Sequence, residues 1–285
     1  MRSSNIGGQA VMEGIMMRHK DKYSIAVRRP DQEIELKVED YKCIFGNHAF
    51  LKKPIIRGVV SFVDSLVVGT KCLMYSAEIA GDEEDEETAR KNEQLTEAER
   101  SAKKAKEDKQ FKWLLYITVA VSMVVSVAAF MFLPYVLASL IRGAGASEFM
   151  VTVVEAFVKL ALFMGYMFLI SRMKDIQRTF MYHGAEHKCI NCIEHGLPLT
   201  VENVRNSSRQ HKRCGTSFLF FVLAISIILL LLIRVESPLM RVVVRIALLP
   251  VIAGVSYEVL KLAGNSDNPF VNLLSKPGMA IQKMT

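Results

Sequence analysis

Cysteine is scarce in this sequence, and its number is odd: five among 285 residues. A framework of structural disulfides needs paired cysteines and an oxidising compartment, so the count argues against a disulfide-stapled secreted domain. The chain also opens without the basic segment and short apolar stretch of a signal peptide, so no cleaved leader is expected. The five thiols are therefore expected to be free.

Charge is missing from two long stretches. Residues 113–141 and 216–233 contain no Asp, Glu, Lys or Arg. A helix that crosses a bilayer needs ~20 apolar residues, whereas a buried helix of a soluble protein rarely runs this long without a polar face. Both stretches therefore predict transmembrane helices. Pro134 is expected to kink the first of them near its end.

Two further segments are long enough to span but contain ionisable residues. Residues 151–170 carry Glu155 and Lys159 one helical turn apart, so the two side chains can pair. Residues 242–262 carry Arg245 and Glu258 on either side of an uncharged stretch. Such groups are expected to face other helices rather than lipid. The sequence thus predicts four spans.

Positive charge is distributed unevenly between the loops that join these spans. The segment 171–215 carries eight lysines and arginines, while the loops 142–150 and 234–241 carry three between them. The positive-inside rule places the long segment, and with it both termini, in the cytoplasm of a multi-pass cell-membrane protein. The same segment accounts for the net charge of +7, so the implied partner is the lipid bilayer and not nucleic acid.

The chain before the first span divides into three parts. Residues 1–53 are predicted to form a small β-rich cytoplasmic unit, because YSIAV and EIELKV alternate in polarity around the turn sequence RRPDQ. Residues 54–80 are predicted to form a helix that lies on the membrane surface or packs on the bundle, since charges recur on one face every seven residues. Residues 81–112 read as a charged, solvated linker. The fold class is mostly α: a helical membrane bundle, 113–285, with this β-rich unit before it.

The segment YHGAEHK contains the densest group of candidate ligands. His183 and His187 are four residues apart in an H-x-x-E-H pattern, so on a helix both imidazoles can bind one Zn²⁺. Glu186 lies beside them, placed to accept a proton from a water that the metal activates. This order of residues is that of the inverzincin metalloproteases. The pattern predicts a divalent metal site, with zinc favoured.

Other candidate ligands fall near the same edge of the predicted bundle. Glu194 follows His187 by two helical turns on the same face, and Glu258 ends the fourth span on the cytoplasmic side. Either carboxylate is a candidate third ligand. His211 and Cys214 come just before the third span. A competing interpretation uses Cys189 and Cys192 with His211 and Cys214 as a closed structural zinc site.

Four motifs occur in order along nearly the whole chain: GGQAVMEGIMMR, YHGAEHK followed by Glu194, RCGTSF after His211, and GVSYE ending at Glu258. Together they resemble the YqhQ-like family, bacterial membrane proteins of unknown function described as predicted metal-dependent enzymes. The resemblance implies that the family's motif positions here are Glu13, His183, Glu186, His187, Glu194, His211, Cys214 and Glu258. Cys189 and Cys192 are not part of it, which weakens the competing zinc site.

The favoured hypothesis is a metal-dependent hydrolase, a peptidase among the options, with Glu186 as general base. Two alternatives remain open: a membrane scaffold or regulator with a structural metal or none, and a transporter that uses the ionisable residues within the spans. With four helices per chain, a transporter would require a homo-oligomer. Neither the substrate nor a protein partner follows from the sequence.

Overall fold

The computed structural model describes residues 3–46, 48–81, 110, 113–114, 116–233, 238–266 and 268–284. The predicted charged linker lies outside the described residues, apart from positions 81 and 110. The chain divides into two compact units, one formed by residues 1–81 and 165–285 and the other by 82–164. The candidate site lies wholly in the first unit.

The N-terminal part forms the predicted β-rich unit. Four antiparallel strands follow one another in chain order: β1 (Gly7–Val11), β2 (Gly14–His19), β3 (Lys22–Arg28) and β4 (Ile34–Asp40). The predicted hairpin around RRPDQ is confirmed as the β3–β4 connection, with Arg28 paired to Ile34. Alternation places Ile25 and Val27 on the buried face of β3, where they join Val11 of β1 in the core.

The remainder is helical, which confirms the mostly α fold class. The helices are α1 (Ile56–Ala80), α2 (Tyr116–Gly143), α3 (Glu148–Ile170), α4 (Lys174–Glu194), α5 (Val201–Asn206), α6 (Gly215–Leu232), α7 (Pro238–Asn265) and α8 (Pro269–Ile281). A short 3-10 turn, Ala49–Lys52, precedes α1.

Five helices have the length and hydropathy of a membrane span, one more than the sequence predicted: α1, α2, α3, α6 and most of α7. Large apolar side chains on these helices are open to the surroundings; Val124 of α2 is 69% exposed and Phe157 of α3 is 67% exposed. Such surfaces suit lipid and not water. The chain is therefore a membrane protein.

The ion pair expected in α3 is present, and at Pro134, where the sequence predicted a kink, α2 contains a π turn. Lys159 pairs with Glu155 across one turn of α3 at 3.1 Å, and both side chains are buried. A π turn over Ala128–Phe132 immediately precedes Pro134 in α2. Because the proline ring would clash with the carbonyl one turn earlier, the wider turn accommodates it without a break in the helix.

Within the first unit the sheet lies between two helices. α1 packs on β1 and β3, and α4 packs on β1 and β2. α1 also packs on α7, which in turn contacts α6 and α8. The sheet therefore holds α4, the helix that carries the H-x-x-E-H pattern, beside the ends of α6 and α7.

Candidate metal centre

The helix α4 presents the central motif. It begins after Met173, which is extended, and carries Asp175 in its first turn, where a negative charge favours the helix dipole. It ends at His195 and Gly196, and Gly196 has a φ of +71° that suits glycine. His195 caps the helix: its Nδ1 lies 2.7 Å from the Asn191 carbonyl oxygen.

Three ligand atoms converge at the middle of this helix. One donor atom from each of His183, His187 and Cys214 lies within 4.8 Å of the other two. The Nε2 of His183 is 3.1 Å from the Cys214 sulfur. Around a tetrahedral Zn²⁺, a histidine nitrogen and a cysteine sulfur lie ~3.5 Å apart, so the observed spacing needs only a small adjustment. The three side chains fit a divalent metal with one open position.

The ring of His187 is held in one orientation. Its Nδ1 lies 2.7 Å from the backbone carbonyl oxygen of Arg209, so Nδ1 carries the proton and donates it to that oxygen. The other nitrogen, Nε2, is then unprotonated and available to a metal. Metal-binding histidines are commonly oriented by such a hydrogen bond from the second ring nitrogen.

Burial sets the protonation states of these groups. It lowers the pKa of His183, and it lowers the pKa of His187 to about 4 with help from the neighbouring His183 ring. Both imidazoles are therefore neutral at pH 7, the state that binds metal. Burial also raises the pKa of the Cys214 thiol to about 11. An unaided thiol there stays protonated at neutral pH, whereas a coordinated metal deprotonates it.

Cys214 owes its position to the start of α6. It is the N-cap residue of that helix, and its sulfur accepts a hydrogen bond of 3.4 Å from the backbone N–H of Thr216. The residue directly after it opens the uncharged span. One candidate ligand is thus fixed at the end of a membrane helix, while the two histidines belong to α4.

Among the acidic side chains near the site, that of Glu186 loses the most solvation on burial. Its residue is only 4% exposed, and burial raises the pKa of its carboxyl to about 7. Its Oε2 lies 3.8 Å from Nε2 of His187. Within the described part of the chain, no group hydrogen-bonds this carboxylate. A buried carboxylate without hydrogen bonds is costly, which fits a group that meets a water or cation in the working protein.

Strand β1 closes over Glu186. A Cβ atom added at Gly8 would lie 2.4 Å from the Glu186 Oε1, closer than real contacts allow. Gly8 therefore permits the strand to approach the carboxylate. In the turn between β1 and β2 the positive φ belongs to Glu13, at +48°, and not to a glycine.

Glu194 and His211 lie close to the pair of histidines on α4, but they form a hydrogen bond with each other. The Glu194 Oε2 is 3.2 Å from His211 Nε2, and its Oε1 accepts hydrogen bonds from the Ser4 N–H and hydroxyl, each at 2.8 Å. Arg213 also pairs with Glu194. Burial alone would raise the pKa of Glu194, but the Ser4 and His211 hydrogen bonds and the Arg213 charge hold it below its usual value. Glu194 is thus an ionised anchor for His211.

A glutamine near the end of the chain holds the backbone of His211. The Gln282 Oε1 accepts from the His211 N–H at 2.8 Å, and its Nε2 donates to the His211 carbonyl at 2.9 Å. The same Nε2 is 3.0 Å from the Ser217 hydroxyl oxygen at the start of α6. Gln282 is only 1% exposed. It fixes the His211–Cys214 segment against α8.

The third ligand expected from the sequence was Glu258 or Glu194, and the structure places Cys214 beside the imidazoles instead. Glu258 forms two hydrogen bonds with the Arg57 guanidinium, one of them 2.6 Å, because α1 packs against the end of α7. Glu13, a motif position of the resemblance, pairs with Arg178 through two hydrogen bonds of 2.7 Å on α4. The Glu258 carboxylate therefore links α7 to α1, and the Glu13 carboxylate links the β1–β2 turn to α4.

The competing site of four cysteine and histidine ligands is not assembled among the described residues. Cys192 is buried with its sulfur 3.5 Å from the Pro198 carbonyl oxygen, in the turn that follows α4. Cys189 is half-buried, and burial raises the pKa of its thiol. Neither belongs to the group formed by His183, His187 and Cys214.

Sequence reasoning did not find several residues that hold the site. Gln282 acts through three hydrogen bonds and the Arg209 carbonyl through one, and no sequence motif indicates either. Ser4 lies before the first strand, and no sequence pattern marks it as a contact of the site. Gly8 did give one, because two adjacent glycines within a strand indicate a close approach of another group.

Comparison with known proteins agrees with the motifs. A family described as a protein of unknown function (DUF1385) matches residues 53–285. The uncharacterized protein YqhQ of Bacillus subtilis (strain 168) is 37% identical over 284 residues, which cover 98% of this chain and 85% of the relative. No solved structure matches. The chain therefore belongs to the YqhQ-like family of unknown function.

Proposed function

We propose that this protein is a membrane-bound, metal-dependent hydrolase whose site lies at the cytoplasmic end of its helical bundle. His183, His187 and Cys214 would hold the metal, for which zinc is the favoured identity. Glu186 would act as general base. One observation carries the proposal: the buried Glu186 carboxylate accepts no hydrogen bond from the described residues and lies 3.8 Å from His187, which belongs with His183 and Cys214 to a donor set suited to zinc.

The donor set favours a catalytic over a purely structural metal. Closed structural zinc sites have four protein ligands, whereas catalytic sites have three and keep one position open. With an open position, zinc lowers the pKa of water towards neutrality and polarises carbonyl groups. The three donors of this chain correspond to the second class.

Glu186 supplies the complementary proton transfer. A general base works best when its pKa lies near the working pH, and burial raises the pKa of Glu186 to about 7. The carboxylate accepts a proton from the attacking water and returns it to the leaving group. The Arg209 carbonyl keeps His187 in the tautomer whose Nε2 could coordinate the metal, and a coordinated nitrogen would not compete for that proton.

Metal analysis of the purified protein tests the proposal directly. We expect near-stoichiometric zinc in the wild-type protein and none in His183→Ala/His187→Ala, measured by mass spectrometry after removal of loosely bound metal. A matched control is His19→Ala/His48→Ala, which removes two histidines outside the site. Equal metal content in wild type and the site variant would contradict the proposed ligands.

The cytoplasmic location makes a separate prediction. In a background with Cys43 and Cys189 replaced by serine, the other three cysteines are buried. A cysteine introduced at Ala144, between α2 and α3, should react with an impermeant thiol reagent in intact cells. A cysteine at Glu202, on α5, should react only after permeabilisation. The reverse pattern would place the site on the outer face.

A further inference from the structure

Helix α1 has the composition of a membrane span but divides its contacts between two very different neighbours. It is 25 residues long, and its hydropathy qualifies it as a span. Its first two turns contact α6 and α7, and the rest of it contacts the β-sheet. A spanning helix would follow its neighbours through the full depth of the bundle, so this division decides where α1 lies.

The close contacts between α1 and the bundle are made by the first two turns of α1. A Cβ atom added at Gly58 would lie 2.9 Å from the Gly254 Cα, so the two backbones touch there. Phe62 packs on Phe218 with ring centroids 5.4 Å apart. Phe218 is in the first turn of α6, and Gly254 lies about three turns before the end of α7. α1 thus meets α6 at the end that carries Cys214.

Beyond Phe62, α1 is covered by the sheet. Val68 and Cys72 are buried in one cluster with Val11, Ile25 and other sheet residues. The Ser76 hydroxyl accepts a hydrogen bond of 3.1 Å from the N–H of Met12, in the β1–β2 turn. An open sheet leaves backbone groups at its edges unpaired and is not found in the hydrocarbon region of a bilayer. The part of α1 beneath this sheet therefore lies outside that region.

The contacts of Asp64 lead to the same conclusion for the middle of α1, that it lies outside the hydrocarbon region. It is only 1% exposed and accepts hydrogen bonds from Arg18 of β2 at 3.1 Å and from the Ile44 N–H at 3.2 Å. The Tyr41 hydroxyl donates to it as well. A buried carboxylate persists only with such partners, and all three come from the N-terminal unit. The centre of α1 is bound to a folded polar unit.

The number of crossings also excludes α1. β1 and β2 pack on α4, so the sheet and α4 are on one side of the membrane. Between them the chain contains α1, α2 and α3. An even number of crossings is required to return to the same side. If α2 and α3 both cross, α1 does not.

We propose that α1 is an interfacial helix that lies against the lipid headgroups on the same side as the candidate metal centre. Its outer face is apolar: Leu66, Val67 and Leu73 are 50%, 38% and 43% exposed. Leu66 and Leu73 are seven residues apart and share one face. Lys52 and Lys53 are exposed just before α1 begins, where their ammonium groups can meet phosphates.

The bilayer is the occupant of this face because the face is continuous with the membrane bundle. α1 leaves the bundle beside the start of α6, the end of that apolar helix, so lipid adjoins its first turns. The inference concerns the membrane placement of the chain and is independent of the proposed hydrolase activity.

Two thiol positions test the crossing. In the background without Cys43 and Cys189, cysteines are introduced singly at Lys42, before α1, and at Glu78, in its last turn; both side chains are exposed. We expect the two to show the same pattern with an impermeant reagent in intact and permeabilised cells. Labelling of only one of the two cysteines in intact cells would overturn the proposal, because that result would mean that α1 crosses the membrane.

A depth measurement tests the lipid contact. A fluorophore on Leu66→Cys, in vesicles containing anionic phospholipid, should be quenched more by nitroxide near the headgroup than by nitroxide at the acyl-chain end. The matched control is Val124→Cys on α2, where the chain-end nitroxide should quench more. Deep quenching at Leu66 would make α1 a span. Absence of quenching by either lipid would show that the face meets no bilayer.

Discussion

Replacing Glu186 with glutamine is expected to abolish cellular function while the protein keeps its metal and its fold. Glutamine has the shape of glutamate and can hydrogen-bond a water, but it cannot accept the proton. Removal of a general base typically costs ~10²–10⁴-fold in rate, which is enough to resemble a deletion if hydrolysis is the purpose. Complementation of a deletion strain, at matched expression, measures the effect.

Two controls give this experiment its meaning. Glu202→Gln makes the same chemical change on an exposed position of α5 and should complement fully. Metal content should be equal in wild type and Glu186→Gln, because the proposed ligands are untouched. Full complementation by metal-replete Glu186→Gln would remove the hydrolase proposal and favour a scaffold. Loss of the metal would instead make Glu186 a fourth ligand and the site a closed, structural one.

Replacing Cys214 with serine is expected to remove the metal without disturbing α6. Serine is a good N-cap residue, so the start of the helix keeps its hydrogen-bonded cap. The thiolate, which binds zinc strongly, is lost. Loss of an outer-shell partner alone costs ~10–100-fold in metal affinity, and loss of a ligand should cost more. Metal content and a zinc titration of the metal-free protein measure the change.

The matched variants test the alternatives that the sequence left open. Cys189→Ser/Cys192→Ser removes two thiols of the competing site and should leave the metal content unchanged. Glu258→Gln should also retain it, because that carboxylate pairs with Arg57. If the metal were lost from the double cysteine variant and retained by Cys214→Ser, the site would belong to the cysteine pair on α4.

The parts of the fold that sequence predicted are those set by local pattern. Alternating polarity around a turn sequence gave the β3–β4 hairpin, and uncharged stretches gave α2 and α6. The spacing of Glu155 and Lys159 gave their ion pair. Each follows from the periodicity of one element, so no knowledge of tertiary packing was needed.

For the same reason, the sequence alone predicted only part of the candidate ligand set. His183 and His187 share a helix, so their spacing alone brings them together. The third candidate donor depends on where the start of α6 lies relative to α4. The sequence could not show that Arg57 on α1 would pair with Glu258, nor that the cap of α6 would point its sulfur at His183.

The bonds between Gln282 and His211 have a consequence for biosynthesis. Gln282 emerges from the ribosome after every predicted span has been made, yet it holds both backbone groups of His211 and contacts the start of α6. The nascent chain therefore lacks the complete support of the Cys214 segment until Gln282 has left the ribosome. A metal bound as proposed would reach its final geometry only after the bundle has been inserted.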